Sequence, residues 1–186
     1  MNAQATEVYW GTLSHPLFDN RPLHVAATEN GLCRVNWPHE SFADLQDWVN
    51  RRIPGAKLIE DRERVSEYVS QLKQFLDGTR KTFDLPVDLR GTPFQVSVWK
   101  ALARIPCGET RSYSDIAEAV GRPNAVRAVG TANGANPVPI VVPCHRVIGK
   151  DAALTGFAGG LRVKEDLLRL EGVRGFTQKG HARFRF

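Results

Sequence analysis

The sequence predicts a protein of two parts: a small α/β domain with an antiparallel sheet and helices over residues 1–90, then a mainly α domain with a helix-turn-helix over residues 91–186. Three observations predict this. Short β-rich runs separated by turn residues dominate the first part. In the second part, two short alanine-rich helical runs follow one another across Arg122-Pro123-Asn124. The charge also changes sign: residues 1–90 hold 11 Lys+Arg and 13 Asp+Glu, whereas residues 91–186 hold 14 and 7.

Each element has a local reason. EVYWGTL (7–13) and LHVAAT (23–28) read as strands, ENG (29–31) as a tight turn and LCRVNW (32–37) as the return strand. SFADLQDWVNRRI (41–53) takes Ser41 as N-cap, carries Phe42, Leu45, Trp48 and Val49 at helical spacing, and is stopped by IPG. RERVSEYVSQLKQFLDG (62–78) places Val65, Val69, Leu72 and Leu76 on one face and closes at Gly78. KTFDLPVDLR (81–90) reads as extended and ends the domain.

The second part opens at Gly91, where Thr92 caps a helix with Pro93 at its first position. FQVSVWKALARI (94–105) carries the stripe Phe94, Val98, Leu102 and Ile105. IPCGET (105–110) is a loop. SDIAEAVG (114–121) and AVRAVGTANGAN (125–136) form the helix-turn-helix, with Gly121 breaking the chain. NPVPIVVPCHRV (136–147) reads as a buried extended segment, GKDAALTGFAGG (149–160) as a loop, and LRVKEDLLRLEGV (161–173) as an amphipathic helix with Val163, Leu167, Leu168 and Leu170. The tail RGFTQKGHARFRF (174–186) has four Lys/Arg and no acid, which predicts a mobile arm or one lying along a polyanion.

Composition narrows the classes. Hydrophobic residues make up 42% of the chain, enough for a real core and too many for disorder. Three widely spaced cysteines, Cys33, Cys107 and Cys144, argue against a disulfide framework and for a reducing compartment. No segment has the length of a membrane span and the first residues lack a signal pattern, so the chain reads as soluble and intracellular, without membrane partners. The basic second half fits a polyanionic partner, nucleic acid foremost; a surplus of surface arginine is the bland alternative. Trp10, Trp37, Trp48 and Trp99 read as core aromatics, and Cys107 as a loop cysteine.

The chemistry concentrates at Cys144-His145-Arg146. A thiol becomes nucleophilic beside a base or a positive charge, and both follow it directly. Successive residues of a regular strand face opposite ways, so Cys144 and His145 cooperate only if the chain turns, and Pro143 favours a turn. An isolated Cys-His pair is otherwise an ordinary buried thiol beside a surface histidine. The second alanine-rich helix bears Arg127 and runs into this segment. Its Ala125, Ala128, Gly130, Ala132 and Gly134 offer a small-residue surface for close approach to a groove or backbone.

The segment PVPIVVPCHRVIG resembles the active-site signature of the O6-alkylguanine-DNA alkyltransferases, the methylated-DNA–protein-cysteine methyltransferases. The resemblance continues through Tyr113, RAVG at 127–130, NPVPI at 136–140, GFAGG at 156–160 and KEDLLRLEG at 164–172, in the order and spacing of that family over the second half of the chain. It implies a ribonuclease-H-like first domain and a DNA-binding, alkyl-accepting second one. Cys144 would take the alkyl group of O6-alkylguanine irreversibly, once per molecule. His145 would be the base, acting through a water, and Glu171 its orienting partner. Asn136 would hold the turn before the cysteine. Tyr113 would stabilise the departing guanine. Arg127 would fill the space left by the flipped nucleotide, with Ala128, Gly130 and Ala132 along the minor groove. Val147, Phe157, Ala158 and Gly159 would line the base pocket. The resemblance implies no cofactor and double-stranded DNA as partner, and leaves open whether O4-alkylthymine is a further substrate; the chain is expected to be a monomer in solution with a cytoplasmic location (nuclear in a eukaryote).

Two other classes compete. A non-catalytic alkylated-DNA-binding protein keeps the fold but replaces the acceptor cysteine, and Cys144 is present. A cysteine hydrolase normally draws its histidine from a distant segment and needs an oxyanion loop, and neither is visible. No structural zinc is expected, because Cys33 stands alone in the first domain and His15, His24 and His39 lack ligand spacing. Some relatives carry Tyr-Ser where this chain has Phe157-Ala158. The smaller Ala158 predicts a roomier pocket. Transfer from O6-benzylguanine is therefore expected to keep pace with transfer from O6-methylguanine, and a strong preference for methyl in single-turnover rates would refute this.

Overall fold

The computed structural model describes residues 5–177. The chain divides into two compact units, residues 1–90 and 91–186. No helix among the described residues is long and apolar enough to cross a membrane.

In the first unit, β1 (Glu7–Leu13), β2 (Leu23–Thr28) and β3 (Gly31–Val35) form the expected antiparallel strands. A fourth, β4 (Lys57–Glu60), pairs parallel with β1, so the sheet runs β3-β2-β1-β4 and is mixed rather than antiparallel throughout. Four residues with charged ends give no strand signal of their own; β4 exists because the edge of β1 was open. Helix α1 (Phe42–Arg52) starts at Ser41, whose side chain and backbone exchange hydrogen bonds with Asp44 in a capping box. It packs Leu45, Trp48 and Val49 against Val8, Ala26 and Cys33.

Helix α2 (Ser66–Leu76) begins later than residue 62, because Asp61 accepts the Arg64 N–H and closes a turn first. The segment 81–90 makes one bridge, Val87 to Leu32, and no regular strand. Pro86 lies so close to Gly31 that a Cβ there would sit 2.5 Å from its carbonyl, and Gly31 has φ +138°. Only glycine meets both conditions. Trp37 and Trp48 are buried as expected, and Trp10 is partly buried.

In the second unit, α3 (Pro93–Leu102) opens with the Thr92–Gln95 capping box and Pro93 in its first turn. Its Trp99 is 1% exposed and donates through Nε1 to the Ala132 carbonyl at 2.8 Å, which fastens α3 to α5 (Val126–Gly134). Helix α4 (Tyr113–Ala119) ends in a Schellman motif. There Gly121, at φ 71°, donates to Glu118 and Arg122 donates to Ala117. This motif makes the helix-turn-helix corner between α4 and α5.

The segment expected to be extended at 136–147 is buried but is not a strand. Pro137, Pro139 and Pro143 remove three amide donors, so no ladder can run through it. The chain instead makes a bridge between Pro139 and Val142, bends at Ile140 with φ 75°, and turns through a 3₁₀ helix at Cys144–Arg146. Two residues of true strand follow: β6 (Val147–Ile148) pairs parallel with β5 (Arg111–Ser112). Helix α6 (Leu161–Leu170) buries Leu167 and Leu168, and Leu170 is exposed. The start of the tail is docked: Thr177 exchanges backbone hydrogen bonds with residues 152 and 154, and Phe176 packs near Leu154 and Leu168. The remaining tail, 178–186, lies outside the described residues.

The pairing of β5 with β6 sets Tyr113 beside the cysteine turn, and Ser112 caps α4 through a capping box with Asp115. Ser112→Ala is expected to destabilise this unit by about 1 kcal/mol. Urea melts of both proteins check this, and no difference would remove the cap from the account.

Candidate active site

Cys144 sits in the 3₁₀ turn and is 4% exposed. Burial pushes its thiol up to about 11, against the hydrogen bond from Asn136, the Lys164 charge and neighbouring backbone N–H groups, which favour thiolate. The resting group is therefore a thiol, and nucleophilic work requires a base.

His145 is fully buried beside it. Its Nε2 lies 2.6 Å from Oε1 of Glu171, across 26 residues of sequence. Burial tends to raise the Glu171 carboxyl, but hydrogen bonds and charge from His145 and Arg146 outweigh it and hold the group at about 2. An ionised carboxylate only accepts, so Nε2 carries the hydrogen and Nδ1 keeps the lone pair that can receive a proton. Burial lowers the His145 pKa more than Glu171 raises it, which keeps the ring neutral at rest. Glu171 also accepts from the Gly108 N–H at 3.2 Å.

Asn136 clamps the bend before the cysteine. Its Nδ2 donates to the Val142 carbonyl at 2.8 Å and its Oδ1 accepts from the Val138 N–H at 3.0 Å. Tyr113, the first residue of α4, shares a 2.7 Å hydrogen bond with Thr155 Oγ1, and burial raises its pKa. Gly130 faces that ring: a Cβ there would meet Tyr113 at 3.9 Å, an ordinary van der Waals contact. Phe157, Ala158 and Gly159 are partly buried in the loop before α6, with the Phe157 ring 5.6 Å from Lys164 Nζ.

On α5, Arg127 and Ala128 are exposed and Gly130 is partly so. Ala132 does not belong with them. It is 2% exposed, because the turn it occupies is the one fastened to Trp99. Of the four α5 residues expected at the groove, Arg127, Ala128 and Gly130 are therefore accessible and Ala132 is not.

Two buried polar residues, Lys164 and Asn133, escaped the sequence reading, and a third, Arg146, was given another contact. Lys164 is 0% exposed and its Nζ donates to the Val147 carbonyl at 2.5 Å. Burial pushes it down to about 8, while the nearby Cys144 favours its charged form. Asn133 is 4% exposed and donates to the Cys144 carbonyl at 3.4 Å. Arg146, read as a charge beside the thiol, instead turns to Glu171 and to the Ile105 carbonyl. A signal for two of them was present. Lys164 shares a helical face with Leu167 and Leu168, and Asn133 with Val129 and Ala132, so each is a polar residue on a buried stripe. No group of three or more His, Cys, Asp or Glu suited to a metal occurs among the described residues.

This arrangement has relatives. Residues 93–173 match the 6-O-methylguanine DNA methyltransferase DNA-binding domain, and residues 8–89 match the ribonuclease-like domain of the same family. The chain belongs to that family. It is 46% identical to the inducible methylated-DNA–protein-cysteine methyltransferase of Bacillus subtilis, over 92% of this chain and 94% of that one. It is 44% identical to the methylated-DNA–protein-cysteine methyltransferase of Methanosarcina mazei, over 88% of this chain and 97% of that one. Among solved structures, Mycobacterium tuberculosis OGT in complex with DNA superposes with a TM-score of 0.72 at 40% identity, covering 89% of this chain and 92% of that chain. The family match agrees with the expected two-part fold, ribonuclease-like first and DNA-binding second.

The depressed Glu171 carboxyl makes the pairing a pH-dependent source of stability. Its folded value, about 2, lies below the ordinary 4.5, so the contribution is complete above about pH 4.5 and disappears as pH falls toward 2. Glu171→Gln is expected to be less stable than wild type near neutrality, with the difference shrinking as pH falls through that window. Urea melts at several pH values check it, and a difference that ignores pH would refute it.

Proposed function

We propose that this member of the methylated-DNA–protein-cysteine methyltransferase family repairs O6-alkylguanine in duplex DNA by moving the alkyl group to Cys144. The observation that carries the assignment of Cys144 is its burial beside a histidine held by a carboxylate at 2.6 Å. That is the nucleophile, base and orienter arrangement on a thiol that burial keeps protonated until it is used.

In this reading the target nucleotide leaves the base stack and Arg127 takes its place, since an alkylated O6 cannot be reached inside a paired duplex. Exposed Arg127 and Ala128 at the start of α5, with Gly130 behind them, suit a helix that approaches the minor groove closely. The Cys144 thiol gives its proton to His145 through a water. Sγ then attacks the alkyl carbon, the S–C bond forms and the C–O6 bond breaks. The electron pair stays on the guanine oxygen, and the Tyr113 hydroxyl stabilises the developing charge. Lys164 adds a buried positive charge that favours thiolate. Asn136 fixes the bend, and Val147, Phe157, Ala158 and Gly159 bound the base pocket. The product is a thioether, which has no route back to thiol, so each molecule acts once and needs no cofactor.

O4-alkylthymine presents the same alkyl–oxygen bond and is included as a second substrate. The reading takes the protein as a cytoplasmic monomer. The non-catalytic alternative is not favoured, because the acceptor thiol is present and the similar full-length relatives are named as methyltransferases.

The test is intact mass and peptide mapping after incubation with duplexes containing O6-methylguanine or O4-methylthymine, with Cys144→Ala alongside. The expected result is the mass of one methyl group on the Cys144 peptide, absent in the variant. Tight binding without a mass gain would leave a lesion-sensing binder, and neither binding nor gain would overturn the function.

A further inference from the structure

Arg146 follows the proposed base in the chain, yet its side chain serves the carboxylate behind that base. Nε donates to Oε1 and Oε2 of Glu171 at 3.1 and 2.9 Å, and Nη2 donates to Oε1 at 2.9 Å. Nη1 donates to the Ile105 carbonyl at 2.5 Å, which anchors the guanidinium at its other end. The Arg146 side chain is 8% exposed and that of Glu171 1%. A planar fork with a second anchor fixes a carboxylate more firmly than a single ammonium can.

His145 needs Glu171 for orientation but not for its full charge. A buried carboxylate with no other cation would draw a proton onto the ring and hold it there. An imidazolium cannot accept a thiol proton. Among the described residues, the ionisable groups around His145 include Glu171 and Lys164 from α6, and Arg146 and Cys144 from its own turn, with Tyr113 of α4 near the thiol and the Cys107 thiol next to Gly108 in the loop that reaches Glu171. In the loop that reaches Glu171 through Gly108, Glu109 pairs with Arg111 at 2.8 Å. Helix α3, also packed on this turn, buries Val98, Trp99 and Leu102, none of which ionises. Lys164 spends its ammonium on the Val147 and Thr155 carbonyls. Among the described residues, the guanidinium of Arg146 is the cation seated on the Glu171 carboxylate.

We propose that Arg146 is a positioning residue for alkyl transfer: its fork fixes the Glu171 carboxylate and offsets its charge, so that His145 stays neutral and able to take the Cys144 proton. This rests on the reading of Cys144 as the acceptor. Arg146 makes no bond in the reaction. The proton moves from Cys144 to His145, and Glu171 remains ionised throughout.

The test follows methyl transfer to Cys144 by mass in single-turnover reactions across pH, and the His145 ring by ¹⁵N NMR. It uses wild type, Arg146→Met and Arg146→Lys. In wild type the ring is expected to titrate below an ordinary imidazole, so that the rate changes little between about pH 8 and about pH 5.5. In Arg146→Met the ring should titrate higher, and the rate at about pH 5.5 should fall roughly tenfold or more below that variant's own rate at about pH 8. Arg146→Lys restores the charge and should return the profile toward wild type. A Met variant that is slower at every pH with an unchanged profile would make Arg146 merely structural and overturn the proposal. So would a wild-type His145 already protonated near pH 7, a result that needs no variant to fold. Wild type that gains no methyl on Cys144 would instead sink the acceptor reading, and this inference with it.

Discussion

One buried carboxylate organises the second unit. Glu171 caps the end of α6 and accepts from His145, twice over from the Arg146 fork, and from the Gly108 N–H. Those donors come from the cysteine turn and from the loop after α3, so a single side chain joins three segments remote in sequence. A carboxylate removed from water is costly unless its oxygens are satisfied, and here they are. The cost of leaving it unsatisfied is what makes the arrangement specific. The turn, the loop and the end of α6 come together because the charge has no better place to be.

The rest of the site follows from burying the reactive group. A thiol pushed up to about 11 is safe from casual oxidation and alkylation, and is useful only where a base and a positive charge can make it thiolate. In the proposed function His145 provides the first and Lys164 the second. A buried Lys164 that descends to about 8 shows how reluctantly the fold holds a charge there, and two backbone carbonyls take up its hydrogens. The same sulfur chemistry explains why a protein of this kind would act once. An added alkyl group stays on the sulfur, because a thioether has no route back to thiol.

Much of the architecture was legible because its causes are local. Ser41, Thr92 and Gly121 announce helix ends through hydrogen bonds made within a few residues. The alternation of β1 and β2 is likewise a property of adjacent residues. β4 was invisible because Lys57–Glu60 becomes a strand only through the edge it meets. The cysteine segment was read as extended from its Val and Ile content. Its three prolines, the better guide, remove the donors that a strand would need, and the chain turns instead.

From the sequence alone came the two-part division, the helix-turn-helix and the Cys144-His145-Arg146 cluster, since each rests on composition, spacing or a motif; Glu171, Asn136 and Tyr113 entered only through the family resemblance. The tertiary structure decided what those residues touch. It turned Arg146 away from the thiol and onto Glu171, buried Ala132 beneath Trp99 while leaving Arg127 outside, and sank Lys164 into an apolar face beside Cys144. Local patterns encode which surface of a helix is apolar. Which buried charges meet across 26 residues depends on how the segments pack and on which polar atoms then have no water left to bind.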